Sequence, residues 1–185
     1  MKFSAKEVLQ PTLILVLICL VMTAVLAGTN LMTKDAIAAQ NEKVAEQSRK
    51  EVLPTADSFE MSDKSDICYV GKTGSDIAGY VFTTEASSYG GDIQVMTGID
   101  TEGNVTGVVL LSTSDTPGLG LNAKKESFRD QYKQQVPEDG FEVVKGGGAT
   151  DGQINAMTGA TISSRAVTTA VNEAIEEYQK VKGGE

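Results

Sequence analysis

Four hydroxyl side chains crowd one short stretch of the chain, Thr158-Gly159-Ala160-Thr161-Ile162-Ser163-Ser164, directly ahead of the last apolar-periodic segment. Backbone N–H groups at a helix start lack intrahelical partners, and that end of the helix dipole is positive. Free amides, hydroxyls and the small Gly159 and Ala160 together suit a phosphate group that must come close to the backbone. Plain N-capping uses the same residue types, but it needs one hydroxyl and not four. By spacing alone both readings stand. A second stretch, Asp115-Thr116-Pro117-Gly118-Leu119-Gly120, follows a strand-like run. Pro117 fixes one φ angle and the glycines remove bulk, so a shaped turn displays Thr116 and Leu119. Leu119 suits contact with a planar ring, and packing on its own domain explains it equally well.

The rest of the composition narrows the chemistry. The chain of 185 residues contains no histidine, which removes the commonest general base and metal ligand and any Ser-His-Asp or Cys-His unit. Its two cysteines, Cys19 and Cys68, cannot build a four-Cys zinc or iron–sulfur site alone. No metal site and no self-contained catalytic group is expected. A formal charge of −9 and a pI near 4.6 argue against nucleic acid as a partner. Redox or group-transfer chemistry in such a chain requires a borrowed organic cofactor.

These stretches must be positioned by a chain of uneven texture. Between Glu7 and Lys34 lie 26 residues without charge. As a helix they would span roughly 39 Å, against a hydrocarbon core of about 30 Å. The reading is an uncleaved membrane anchor over residues 1–33, with Pro11 near its start; a cleaved signal peptide is the alternative. Lys2 and Lys6 place the amino terminus in the cytoplasm. Residues 34–185 then lie outside the membrane with a net charge of −10, because residues 1–33 hold two bases and one acid. Cys68 reads as a small buried apolar residue.

Residues 34–59 read as a polar helical stalk and linker, stopped at Leu53-Pro54. From about residue 60 to 185 the pattern is that of one domain. Strand-like runs occur at Ile67–Val70, Ile77–Thr84, Ile93–Ile99, Val105–Leu111 and Phe141–Val144. Asp100-Thr-Glu-Gly-Asn104 predicts a hairpin turn. Phe128 and Tyr132, four apart, predict a helix with one apolar edge over 124–135. Residues 145–152 are loop. Val167, Val171, Ala174, Tyr178 and Val181 share one face of a closing helix. The fold class is α+β, with one antiparallel sheet and a C-terminal helix.

The Thr-Gly-Ala-Thr run before a terminal helix, the Thr-Pro-Gly-Leu-Gly run upstream and the N-terminal anchor together resemble the FMN-binding RnfG family of the Rnf electron-transport complex. They are also similar to the related flavin-carrying subunit of the sodium-pumping NADH:quinone reductase. The resemblance covers essentially the whole chain. It implies an FMN-binding domain outside the cytoplasmic membrane, with FMN joined by a phosphoester to Thr161 through a separate flavin transferase. It also implies that Thr116, Pro117, Gly118, Leu119 and Gly120, with Thr158, Gly159 and Ala160, bind the flavin.

With no histidine to activate it, a threonine is a poor self-sufficient nucleophile, which agrees with modification by an outside enzyme. Two positions depart from the family pattern: Asn155 stands where Asp is usual, and Asp115 where Glu is common. Gly148-Ala149-Thr150 is a decoy, because no helix pattern follows it.

The function so implied is an electron relay in a membrane complex that couples ferredoxin:NAD+ electron transfer to Na+ or H+ translocation. Its partners would be the other membrane and iron–sulfur or flavin subunits, and it would catalyse nothing alone. Alternatives are a subunit of the quinone reductase, a membrane-anchored regulatory flavoprotein, and a flavin-free binding module.

Overall fold

The computed structural model describes residues 5–183, with side chains from residue 9. Lys2 and the Lys6 side chain, which set the expected orientation, lie outside the described residues. The chain divides into two units between Lys43 and Val44, and helix α1, Ala5–Val52, contributes to both.

The first unit is helical throughout its described residues. From Leu9 to Leu26 its large apolar side chains each expose more than half their surface, as a helix facing lipid must. The Thr29 Oγ1 donates to the Val25 carbonyl at 2.9 Å, and the Thr33 Oγ1 to the Thr29 carbonyl at 2.9 Å. Both hydroxyls are thereby satisfied without water, which an apolar surrounding demands. Because α1 begins at Ala5, Pro11 falls inside the helix rather than in its first turn. Its missing N–H therefore removes one i→i−4 bond.

The second unit is built on an antiparallel meander. Strands β1 (Ser58–Met61), β2 (Cys68–Thr73), β3 (Asp76–Ser88), β4 (Gly91–Asp100) and β5 (Val105–Ser112) neighbour one another in chain order. The predicted turn at 100–104 is present. The Asp100 Oδ1 accepts from the N–H groups of Glu102 at 2.9 Å and Asn104 at 2.8 Å, closing the β4–β5 connection. A small parallel pair, β6 (Glu142–Val144) and β7 (Gln153–Asn155), lies between the meander and helix α3 (Thr161–Gly183) in the chain. The loop joining β6 to β7 holds Gly146, Gly147 and Gly148, all with positive φ.

Residue alternation along the strands separates two cores. Phe82, Ile93, Val95 and Ile99 pack with Val167, Ala170, Val171, Ala174 and Tyr178 of α3. Every residue assigned to the apolar face of the closing helix is buried. Val81 and Met96, one position along, face the other way and pack with Val52, Leu53 and Ala56.

That second face is shaped by glycine. Gly71 pairs with Gly79 across β2–β3, and Gly98 with Gly107 across β4–β5. A Cβ at Gly107 would lie 2.9 Å from the Val52 Cα, and one at Gly79 3.0 Å from the Leu53 Cδ1. These four positions form a trough in which Gly98 and Gly107 admit the Val52 backbone and Gly71 and Gly79 the Leu53 side chain. The Thr106 hydroxyl donates to the Val52 carbonyl and so satisfies an orphan at the end of α1.

The helix expected over 124–135 is replaced by a 3-10 turn (Gly120–Lys124), the four-residue α2 (Glu126–Arg129) and a second 3-10 turn (Asp130–Tyr132). Two tertiary demands break it. Backbone beyond Tyr132 is drawn to the β4–β5 turn, where the Val105 N–H donates to the Gln134 carbonyl at 3.0 Å and the Val136 N–H to the Gly103 carbonyl at 2.9 Å. Tyr132 also turns inward, edge-on to Phe128 (5.8 Å) and Phe141 (5.4 Å), with its hydroxyl 2.7 Å from the Thr168 Oγ1. Strands β1 and β7, each four residues or fewer, carry no periodic signal by which the sequence could announce them.

Gly107→Val should cost about 1–3 kcal/mol by forcing a branched side chain against rigid backbone at Val52. Thermal unfolding of the full chain in detergent checks this, and an unchanged Tm would mean that the trough does not seat the last turn of α1.

Candidate functional site

The start of α3 assigns different work to the four hydroxyls. The first intrahelical bond runs from the Ser164 N–H to the Ala160 carbonyl at 3.0 Å, so the amides of Thr161, Ile162 and Ser163 precede it. The Ser164 Oγ donates to that same carbonyl at 2.9 Å and accepts from the Met157 N–H at 3.0 Å. Completely buried, it closes the turn Met157–Ala160 that leads into the helix. Ser163, also buried, donates to the Asp115 carboxylate. Thr158 is exposed and Thr161 half-buried. Among the described residues, neither threonine hydroxyl has a hydrogen-bond partner. Capping therefore accounts for Ser164, a cross-link for Ser163, and neither for the two threonines.

The Thr-Pro-Gly-Leu-Gly loop folds around the Thr116 carbonyl, which accepts from the N–H groups of Leu119 and Leu121, both at 3.2 Å. Gly118 supplies φ = +79°, and its carbonyl accepts from the Asn122 side-chain amide at 2.7 Å. Gly120 is buried where a Cβ would lie 2.7 Å from the Asp115 Oδ2 and 2.5 Å from the Ser163 Oγ. Only glycine lets this loop rest on the start of α3. A Cβ at Gly159, which holds φ = +75°, would meet the Leu119 Cδ2 at 3.2 Å. The two predicted stretches, some 40 residues apart in sequence, thus touch at Leu119–Gly159 and at Asp115–Ser163. Thr116, Pro117, Gly118 and Leu119 are exposed; Ala160 and Gly120 are buried.

Asp115 joins these segments to a third. Its Oδ2 accepts from the Ser88 Oγ at 2.6 Å and its Oδ1 from the Gly90 N–H at 2.7 Å, both at the tip of the β3–β4 hairpin. Burial alone would push its pKa up; the donors Ser88, Ser163 and the Gly90 amide outweigh it and hold the carboxyl below the usual range. Sequence reading missed this tip. Its one signal is Ser88-Tyr89-Gly90-Gly91, an aromatic set among turn formers between two strand-like runs.

The decoy is occupied elsewhere. The Thr150 Oγ1 donates to the Gln153 Oε1 at 3.1 Å, at the turn before β7. Asn155 accepts from the Ala149 N–H at 3.2 Å and so braces the glycine loop. Cys68 is fully buried, and burial pushes its thiol up to about 11 against a hydrogen bond with Ser62, with Glu177 adding to the rise.

These residues fit a flavin mononucleotide. Free hydroxyls and first-turn amides suit its phosphate, while exposed Leu119 beside the side-chain-free Gly159 suits a flat ring. The comparisons with known proteins name the same cofactor. Residues 88–176 match the family model of an FMN-binding domain, and residues 1–52 that of the RnfG N-terminal region. Over 195 aligned residues the chain is 35% identical to the G subunit of the Na(+)-translocating ferredoxin:NAD(+) oxidoreductase complex of Acetobacterium woodii, covering 95% of this chain and 94% of that one. Identity to the G subunit of the proton-translocating ferredoxin:NAD(+) oxidoreductase complex of Clostridium ljungdahlii is 33%, covering 92% and 91%. Among solved structures, NqrC of Shewanella oneidensis superposes with a TM-score of 0.52 at 20% identity, over 66% of this chain and 64% of that one. The C subunit of the Na(+)-translocating NADH-quinone reductase of Parabacteroides distasonis gives 0.51 at 20% identity, over 61% and 60%. At that identity the two structures speak for the fold alone.

Asp115→Asn should destabilise the protein by about 2 kcal/mol at neutral pH, because a charged acceptor of three donors is lost. The native carboxyl titrates below the unfolded value of about 3.9, so this stabilisation is complete above that value and is lost as pH falls through the native pKa. Denaturant unfolding from pH 7 to 3 should therefore show the gap between wild type and variant constant at first and closing in acid. A gap that is constant throughout would mean that the charge contributes nothing.

Proposed function

The chain belongs to the RnfG family, the G subunits of ion-translocating ferredoxin:NAD+ oxidoreductase (Rnf) complexes, and on that premise we propose that it is their electron-relay subunit, carrying FMN esterified to Thr161. The observation that carries this reading is the division of hydroxyls at α3: two are consumed by the fold and two are free. Thr161 is preferred over Thr158 because it is the first residue of the 23-residue α3. There the remaining negative charge of a phosphodiester gains roughly 0.3–1 kcal/mol from the helix dipole. FMN, when attached, supplies the redox chemistry.

The chain's own residues hold and shield. Leu119 offers an apolar surface, Gly159 leaves room beside it, and Gly120 with Asp115 keeps the loop seated on the helix start. The chain has no histidine to deprotonate Thr161, and among the described residues its hydroxyl has no hydrogen-bond partner, so attachment falls to a separate flavin transferase. Residues 1–33 serve as the anchor, 34–59 as the connection and 60–185 as the flavin domain. Lys2 and Lys6 keep the amino terminus in the cytoplasm and put the flavin domain on the opposite side. Residues 8–33 carry no Asp, Glu, Lys or Arg, so the span offers no charged side chain to a travelling Na+ or H+. Ion translocation then belongs to the other subunits, and this one turns over nothing by itself. Membership of the quinone reductase has only the likeness in fold behind it.

With a flavin transferase co-expressed, the intact chain should gain the mass of one esterified FMN, and the denatured protein should fluoresce on a gel. Thr161→Ala should abolish that fluorescence, while Thr158→Ala and Thr150→Ala should keep it. Loss in Thr158→Ala with retention in Thr161→Ala would move the attachment point, and an unmodified wild-type mass would remove the relay.

A further inference from the structure

Asp115 ties together three segments, and each carries one exposed apolar side chain. The β3–β4 hairpin tip has Tyr89, 74% exposed; the Thr-Pro-Gly-Leu-Gly loop has Leu119, 44% exposed; the first turn of α3 has Ile162, 57% exposed. Leu119 and the α3 start already belong to the proposed flavin site. Tyr89 belongs to neither stretch read from sequence. It is nonetheless held between two residues bonded to one carboxylate, Ser88 through its hydroxyl and Gly90 through its amide. Gly90 further packs against the Ser114 carbonyl so closely that no Cβ would fit. A hairpin tip is ordinarily free to swing; this one is fastened on both sides of its aromatic residue. The other four tyrosines contrast with it. Tyr132 and Tyr178 are buried, and Tyr69 and Tyr80 half-buried. Tyr178 is edge-on to Tyr80, and Tyr69 lies under the Arg49 guanidinium.

A large aromatic surface left in water, yet anchored beside an apolar loop and a phosphate-suited helix start, has the character of one side of a ring-binding seat. We infer that Tyr89 is a wall of the isoalloxazine seat, held in place by Asp115, so that the flavin ring lies within contact of the phenol as well as of Leu119. The inference rests on the FMN reading above and extends it to a side chain outside both motifs. It also explains why Asp115 engages the hairpin as well as α3: the phosphate end and the ring end of one ligand are positioned by a single carboxylate.

Flavin fluorescence tests this directly. A phenol in contact with a photoexcited flavin lends it an electron and takes it back, which quenches emission with no net chemistry; phenylalanine does not. The full-length wild type, Tyr89→Phe and Tyr89→Ala are purified after co-expression with a flavin transferase, and each intact mass is measured. The masses give the fraction of each chain that carries FMN, and brightness is compared per attached flavin. Folded wild type should be dim and brighten on unfolding. Both variants should be severalfold brighter than wild type when folded, and Tyr89→Ala should also shift the flavin midpoint potential. Flavinylated variants as dim as wild type, with unchanged potential, overturn this inference and leave the relay standing. A wild-type chain without FMN overturns both.

Discussion

One buried carboxylate ties together the end of the domain at which α3 begins. Asp115 accepts from a hairpin tip, borders the glycine that seats a loop, and accepts from the first turn of the closing helix. A carboxylate suits this place because it is acceptor-only and offers two oxygens to converging donors. Its desolvation is offset by charge-assisted bonds from Ser88, Ser163 and the Gly90 amide. Aspartate rather than glutamate keeps those oxygens close to the backbone, where Gly120 leaves just enough space.

The sheet beneath this end has two unlike faces, and the difference follows from side-chain size. One face is filled with Phe82, Ile93, Val95 and Ile99 and takes an amphipathic helix through side-chain contacts. The other has glycines paired across strands and takes the last turn of α1 almost backbone to backbone. Glycine within strands weakens them in isolation. Here the loss is offset by burying Val52 and Leu53 completely and by satisfying the Val52 carbonyl with Thr106.

A hydroxyl cluster is ambiguous while it is only a cluster. It becomes informative once each member's partner is known, because those already bonded within the fold are not offered to a ligand. Ser163 and Ser164 are inside, bonded to protein; Thr158 is exposed and Thr161 half-buried, and neither hydroxyl has a partner among the described residues. That partition also separates Thr161 from Thr150, whose hydroxyl is taken by Gln153.

What the amino-acid sequence determined by itself is whatever rests on local order. The uncharged run of residues 8–33, the strand-like runs that become β3 to β5, the turn at 100–104 and the 3.6-residue period of α3 are all read within one element, and all are present. The chemistry excluded by the lack of histidine, and the two motif stretches with their family, were legible for the same reason. Contacts far apart in the chain decided the remainder. Phe128 and Tyr132 have helical spacing, yet the pull of residues 134–136 to the β4–β5 turn breaks the helix. Strand β1 exists only because β2 lies beside it. The role of Asp115 and the fastening of Tyr89 depend on residues 25 to 48 positions away converging on one carboxylate, and no local pattern encodes such a meeting.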